Sequence, residues 1–341
     1  MYFDNFLGNT DLIRQLELDA AEKRIPHAII LEGPKGSGRH TIAKYIALLL
    51  SCEGGDGVCL ECPSCKRIMT NNSPDVVSVG LLEGKTQLVI ESIRFVRSDV
   101  YIKPNDGKFK VYIIEDADKM TTDAQNAFLK VLEEPPSYAV FIMLCESADS
   151  LLITVKSRSR VYKTEIFDSS VLYDYFIRTN PDAKKLAEES DDALKLALIT
   201  SNGSVGQAAE AIDSEKARLN LDLYNHSLKL LMLLRQRASS FDISNHLSSV
   251  EFTRDSLSEY LKLCQSGLFD ALSNKLSDKS KLSYFLDEEK FEHISSGLTN
   301  KFILEAIELI EEARQALHYV VNIPITTASL ASKLTKLRSK Y

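Results

Sequence analysis

Four cysteines fall close together in the pattern Cys52-x6-Cys59-x2-Cys62-x2-Cys65. Thiolates at this spacing supply a closed tetrahedral set of soft donors, which suits a structural Zn²⁺ and leaves no open position for catalysis. Gly54, Gly55 and Gly57 let the segment wrap tightly, and Pro63 stiffens the knuckle. An iron–sulfur cluster accepts the same ligands, and an unliganded thiol cluster is the third possibility, but nothing else in the chain suggests redox work. A zinc-lidded kinase would split its cysteines into two distant pairs, whereas these form one compact run. Cys145 and Cys264 lie far away in apolar surroundings and read as core residues.

The second chemistry-bearing stretch is Gly33-Pro34-Lys35-Gly36-Ser37-Gly38-Arg39-His40. It matches G-x-x-x-x-G-K-[ST] except at its last two positions. Gly33, Gly36 and Gly38 fit a loop whose backbone N–H groups cradle phosphate at a helix N-terminus. Arg39 keeps the charge of the missing lysine but not its compact shape. His40 offers an imidazole where Mg²⁺ wants oxygen, and the Thr41 hydroxyl comes one place too late. Glu115-Asp116 ends an apolar run, where one carboxylate would bind Mg²⁺ and the next polarise an attacking water. Their order is reversed and Asp116 is one methylene short; misplacing a catalytic group by about 1 Å can cost about 100-fold. These residues predict a degenerate nucleotide site, either retired or still holding nucleotide, in which ATP and Mg²⁺ are poorly served.

The elements that must position these groups alternate. Ala28–Leu31 reads as a buried strand entering the glycine loop, followed by a helix from Thr41 with Ile42, Ile46, Leu49 and Leu50 at helical spacing. Residues 75–79 predict a second strand, and Ile90, Ile93 and Val96 a helix. Pro104 to Gly107 signals a turn, and Val111–Ile114 is the strongest strand in the chain. Thr122 to Gln125 reads as a capping box that opens a helix through Leu132, stopped by Pro135-Pro136. Ala139–Leu144 and Val161-Tyr162 complete the strands. This alternation implies an α/β fold with a mainly parallel sheet covered on both faces. Beyond about residue 165 the strands vanish, and Val171–Ile177, Asp182–Glu188 and Asp191–Thr200 are helical. Asn202-Gly203 breaks the chain before a helix to Ile212. From Ser214 onward the pattern stays helical, with Phe302, Ile303, Ala306, Ile307, Ile310, Ala313 and Leu317 on one stripe and Glu305, Glu308 and Glu312 off it.

The 341 residues suffice for two or three domains. A hydrophobic share of 44% with 26% charged residues excludes a disordered chain. The longest apolar candidate for a membrane span, Ile42 to Leu50, is interrupted by Lys44. The start of the chain, Met1 to Asp4, is acidic rather than basic, so a cytoplasmic protein with no membrane partner is expected. The formal charge of −7 is spread over both halves. A protein that grips nucleic acid unaided usually shows a basic face, so contact with DNA is expected to be shared with partners.

Several ordered segments together resemble the AAA+ clamp-loader family of bacterial DNA polymerase III. They are Pro26-His27-Ala28 before the loop, the four-cysteine insertion after its helix, Ser73-Pro74-Asp75-Val76, Lys110 to Met120, Asn126 to Pro136 and Thr154 to Ser159. The resemblance covers nearly all of residues 1–212 and is looser beyond. It implies an AAA+ P-loop-like domain over 1–165 with a zinc module at 52–65, a helical lid over 166–212 and a helical collar, or oligomerisation domain, over 213–341. Ser157-Arg158-Ser159 matches the family's Ser-Arg-Cys motif, which implies that Arg158 is an arginine finger placed in a neighbouring subunit's ATP site. In motor subunits a threonine stands where this chain has Cys145, and the lid carries Gly-Ser-x-Arg where this chain reads Gly203-Ser204-Val205-Gly206. The departures imply a non-hydrolysing stator whose partners are gamma/tau and delta subunits, the sliding clamp and primed DNA. The alternative is an ATP-hydrolysing motor of the gamma/tau kind, whose usual Tyr-Arg-Pro opening is absent from Phe3 to Gly8.

Overall fold

A computed structural model describes residues 6–54, 57–276, 284–317, 319 and 322–341. Met1 to Asn5 and Gly55, used in the sequence reading, lie outside the described residues. The chain forms two compact units. One contains the residues up to Phe167 together with Ser204–Gln207, and the other contains Asp168–Gly203 and Ala208–Tyr341.

The first unit runs α1 (Thr10–Ala21), β1 (Ala28–Glu32), α2 (Arg39–Ser51), α3 (Pro63–Met69), β2 (Val76–Val79), α4 (Ile90–Asp99), β3 (Lys110–Ile114), α5 (Thr122–Glu133), β4 (Ala139–Cys145), α6 (Ile153–Lys156) and β5 (Arg160–Lys163). The strands form one sheet in the order β2-β3-β4-β1-β5, every pair parallel. Apolar residues run continuously along β1 and β4 because both faces are covered. Ala28 and Ile30 of β1 enter a core with Phe128, Phe141 and Tyr112 under α4 and α5. Ile29 and Leu31 point the other way, to Leu16, Ile42 and Ile46 of α1 and α2. Cys65 and Ile68 of α3 are buried in that second core, so the cysteine segment is rooted in the body of the unit.

Three local expectations change. The helix after the glycine loop starts at Arg39, two residues earlier than Thr41, because Gly38 takes φ 93° and turns the chain straight into the helix. That places Arg39 and His40 on the first turn. The cap of α5 is Thr121, not Thr122; its hydroxyl accepts from Ala124 N at 3.2 Å. Gln125 does not close a capping box. It is buried, its Nε2 donates to the Met120 and Ser150 carbonyls, and its Oε1 accepts from Leu152 N at 2.7 Å. The amide thereby ties α5 to the segment that leads into α6.

Asp75 stands before β2 rather than in it. Its buried carboxylate accepts from the backbone N–H groups of Asn105, Asp106 and Gly107 at 2.6, 2.8 and 2.9 Å. Burial alone would raise its pKa, but the three donors together outweigh that and hold it below the usual carboxylate range. A depressed folded pKa contributes stability that is present above the unfolded value and lost as the pH falls through the folded one. Asp75→Asn turns an amide NH₂ toward backbone donors, so it is expected to cost about 1–3 kcal/mol at neutral pH. In urea unfolding the penalty should shrink as the pH falls below about 4, where the unfolded carboxyl begins to protonate, and vanish only once the folded, depressed carboxyl has protonated too. Next to it, buried Lys110 pairs with Asp99 at 2.8 Å, and Tyr112 donates to the same carboxylate at 2.8 Å.

The second unit is helical. It holds α7 (Ser169–Thr179), α8 (Pro181–Glu189) and α9 (Asp191–Thr200), then the end of α10 (Val205–Ala211), whose residues up to Gln207 belong to the first unit. After these come α11 (Ser214–Arg235), α12 (Ser240–Ser248), α13 (Arg254–Leu276), α14 (Glu288–Ser296), α15 (Asn300–Ala316) and α16 (Ile323–Lys340). The α15 stripe behaves as its period requires: Phe302, Ile303, Ala306 and Ile310 are buried, while Glu305 pairs with Lys340 at 3.1 Å. Among the described residues no helix is long and apolar enough to cross a membrane.

Candidate functional site

The glycine loop joins β1 to α2 at the carboxyl ends of the strands, the side of a parallel sheet where ligands bind. Gly33 N donates to the Cys145 carbonyl at 3.1 Å. A Cβ on Gly33 would lie 1.9 Å from Thr164 Oγ1, and that hydroxyl donates to Ser37 Oγ at 2.7 Å. The loop is therefore packed from the β5 side by a side chain that motif reading did not flag.

It is also clasped by Ser204–Gln207. Ser204 Oγ and Gln207 Nε2 both donate to the Lys35 carbonyl, at 2.7 and 2.9 Å, and Gly206 N donates to the Gly36 carbonyl at 2.9 Å. A Cβ on Gly206 would fall 2.7 Å from Gly36 Cα, backbone that cannot yield. The glycine that stands at the arginine position of the Gly-Ser-x-Arg pattern is thus the residue that lets two backbones touch. An arginine there would have to push the clasp open.

Arg39 is buried in the first turn of α2. His40 Nδ1 lies 4.0 Å from Glu115 Oε1, and both side chains are substantially exposed at the mouth of a cavity of about 620 Å³. Thr41, Lys44 and Ser78 also line this cavity. Asp116 takes a left-handed φ of 49° and turns away to pair with Lys119 at 3.3 Å. The two acids that adjoin in sequence therefore have different partners and do not form a metal-and-water pair. Cys145 is fully buried. Burial pushes its thiol up to about 12; Asp118 and Glu32 add to the shift and Arg39 opposes it. It is an inert thiol. At the loop's Mg²⁺ position an imidazole replaces the hydroxyl, and these donors fit Mg²⁺ poorly.

The four cysteines do converge. The Sγ atoms of Cys52, Cys59, Cys62 and Cys65 all lie within 4.8 Å of one another, Cys52 and Cys59 at 3.5 Å. Backbone N–H groups of Gly54 and Cys59 point at Cys52 Sγ, that of Cys62 at Cys59 Sγ, and that of Cys65 at Cys62 Sγ, each at 3.4 Å. Such donors stabilise thiolate. Those of Cys62, then Glu61, with help from Cys52, lower the Cys59 thiol to about 6. Burial instead raises Cys65. Four sulfurs at these separations, one buried and three nearer the surface, form a closed set that could hold a metal ion. The module is braced from outside by Arg67, which pairs with Asp106 at 3.4 Å in the loop that Asp75 anchors.

Arg158 lies between the short helix α6 and β5. Its Nη1 donates to the Thr154 carbonyl at 3.1 Å, and its Nη2 donates to Glu133 Oε1 at 2.9 Å, with the side chain 37% exposed. Gln125 fixes the same segment from below through Leu152 N. Neither the capping-box spacing of Thr122 to Gln125 nor any local pattern at Glu133 signals these roles; contacts across 25 residues or more create both.

A family model described as "DNA polymerase III, delta subunit" matches residues 8–167. The delta' subunit of DNA polymerase III from Bacillus subtilis is 27% identical over 321 residues, 91% of this chain and 92% of that protein. The gamma subunit of Buchnera aphidicola is 27% identical over 62% of this chain, and the tau subunit of Bacillus subtilis 28% over 62%. The chain spans only 58% and 37% of those two proteins. Among solved structures, a gamma subunit-related protein of Thermotoga maritima aligns over 95% of this chain and 99% of its own, at 18% identity and a TM-score of 0.46.

Proposed function

Because the chain belongs to the clamp-loader subunits of bacterial DNA polymerase III, the family that includes delta-prime, gamma and tau, we propose that it works there as a non-hydrolysing stator. In this reading it assembles with gamma/tau and delta subunits through a helical collar at 213–341, with 166–212 as the lid. It presents Arg158 to a neighbouring subunit's ATP and helps place the sliding clamp on primed DNA in the cytoplasm. A fixed guanidinium stabilises charge on the transferring γ-phosphoryl group without the chain needing a working site of its own.

The observation that carries the reading is the clasped glycine loop, where Gly206 packs backbone to backbone on Gly36. The missing hydroxyl at His40 and the Asp116–Lys119 pair support it. For the cysteine set we infer Zn²⁺: four thiolates, closed coordination and N–H···S bonds favour a structural ion, which when bound would fix the knuckle geometry.

The second reading is a hydrolysing motor, favoured by the similarity to gamma and tau proteins and by the retained Glu115. ATP hydrolysis by the purified full chain with Mg²⁺ discriminates between them. The stator reading expects no turnover above a contaminant-level background, unchanged in a Glu115→Ala, Asp116→Ala double variant. Steady turnover abolished by that variant would make the chain a motor.

A further inference from the structure

We propose that Glu133 is a positioning residue for Arg158: it parks the guanidinium until a phosphate on a neighbouring subunit's nucleotide takes its place. The inference rests on the in-trans role of Arg158 given above and adds the residue that controls its availability.

Glu133 is the last residue of α5, followed by Glu134 and the Pro135-Pro136 stop. The carboxyl end of a helix carries the negative pole of its dipole, so an acid there works against its own helix. A cation beside it relieves that conflict, and Arg158 supplies one at 2.9 Å. The other cations of the segment face other acids. Lys156 pairs with Asp149 at 3.1 Å, and Arg160 pairs with Asp19 at 3.2 Å while lying 5.1 Å over the Tyr162 ring.

Two restraints from two elements therefore fix the plane of the Arg158 guanidinium, the Thr154 carbonyl on Nη1 and Glu133 on Nη2. Both members of the pair are partly exposed, 37% and 50%. An exposed ion pair is weak enough to be exchanged. A phosphate offers more charge and a geometry the guanidinium fork can grip with two parallel bonds. The pair thus orients Arg158 without trapping it, which a buried pair would not do.

Two measurements test this. In the isolated full chain, labelling of Arg158 by the arginine-selective dicarbonyl phenylglyoxal, read by peptide mass spectrometry, is expected to run about two- to five-fold faster in Glu133→Gln. Glu133→Asp should restore slow labelling, and equal rates in all three proteins would overturn the proposal. In a complex rebuilt with gamma/tau and delta subunits, Glu133→Gln is expected to lower the KM for ATP about two- to five-fold with kcat little changed. That change should vanish in an Arg158→Ala background; an effect that persists there means Glu133 acts by another route, and the proposal fails. If Arg158→Ala itself leaves turnover intact, the in-trans role falls, while the labelling arm still decides the parking contact.

Discussion

Replacing Arg158 by alanine is expected to leave the chain folded and the clamp-loader complex assembled, yet to slow hydrolysis at the neighbouring site it faces by about 10³-fold or more. The side chain makes one exposed ion pair and one carbonyl bond. Its loss should therefore change the stability of the isolated chain by less than about 1 kcal/mol. The large effect falls on hydrolysis, because the charge that spreads over the transferring phosphoryl oxygens meets no guanidinium. Arg158→Lys should recover little, because an ammonium lacks the planar fork. Single-turnover ATP hydrolysis by the complex on primed DNA, with native mass measurement to verify assembly, reads both halves. Wild-type turnover in an intact complex carrying Arg158→Ala would remove the stator mechanism.

The second large effect concerns the cysteine set. Purified protein is expected to carry about one equivalent of zinc, and Cys59→Ser with Cys62→Ser should lose it. The damage should not stay local. Cys65 and Ile68 are buried in the core shared with α2 and the sheet, and Arg67 reaches Asp106 in the loop held by Asp75. Loss of the ion frees a knuckle whose thiolates would otherwise repel one another, and the disorder propagates into that core. A loss of several kcal/mol is expected, on the order of 10 °C in Tm for a unit of this size. Exhaustive chelation of the wild type should reproduce it. Elemental analysis and calorimetry check the result, and a metal-free protein that melts at the wild-type temperature would reject a structural ion.

Much of the architecture was legible along the chain because it follows from short periods. The apolar runs at 28–31, 111–114 and 139–144 became β1, β3 and β4, and of the α15 stripe Phe302, Ile303, Ala306 and Ile310 are buried while Ile307 and Ala313 are half-buried. The four cysteines needed only proximity in sequence to meet in space. Reading was weaker wherever one residue decided a boundary. Gly38 started α2 two residues early, and Thr121 took the cap assigned to Thr122. Helices α1 and α3, whose apolar faces are short, were not foreseen.

The sequence by itself determined which chemical groups this protein has: a four-thiolate cluster, a glycine loop without its lysine or hydroxyl, a reversed acid pair, and a lone arginine in a Ser-Arg-Ser segment. The tertiary structure alone decided what those groups face. Gly206 closes on Gly36, Thr164 fills the space beside Gly33, Asp75 collects three amides from 30 or more residues away, and Glu133 holds Arg158. The physical reason is range. Periodicity and turn chemistry record interactions between residues a few positions apart, whereas a hydrogen bond or a steric exclusion between distant segments exists only once packing has set their separation to within a few tenths of an ångström.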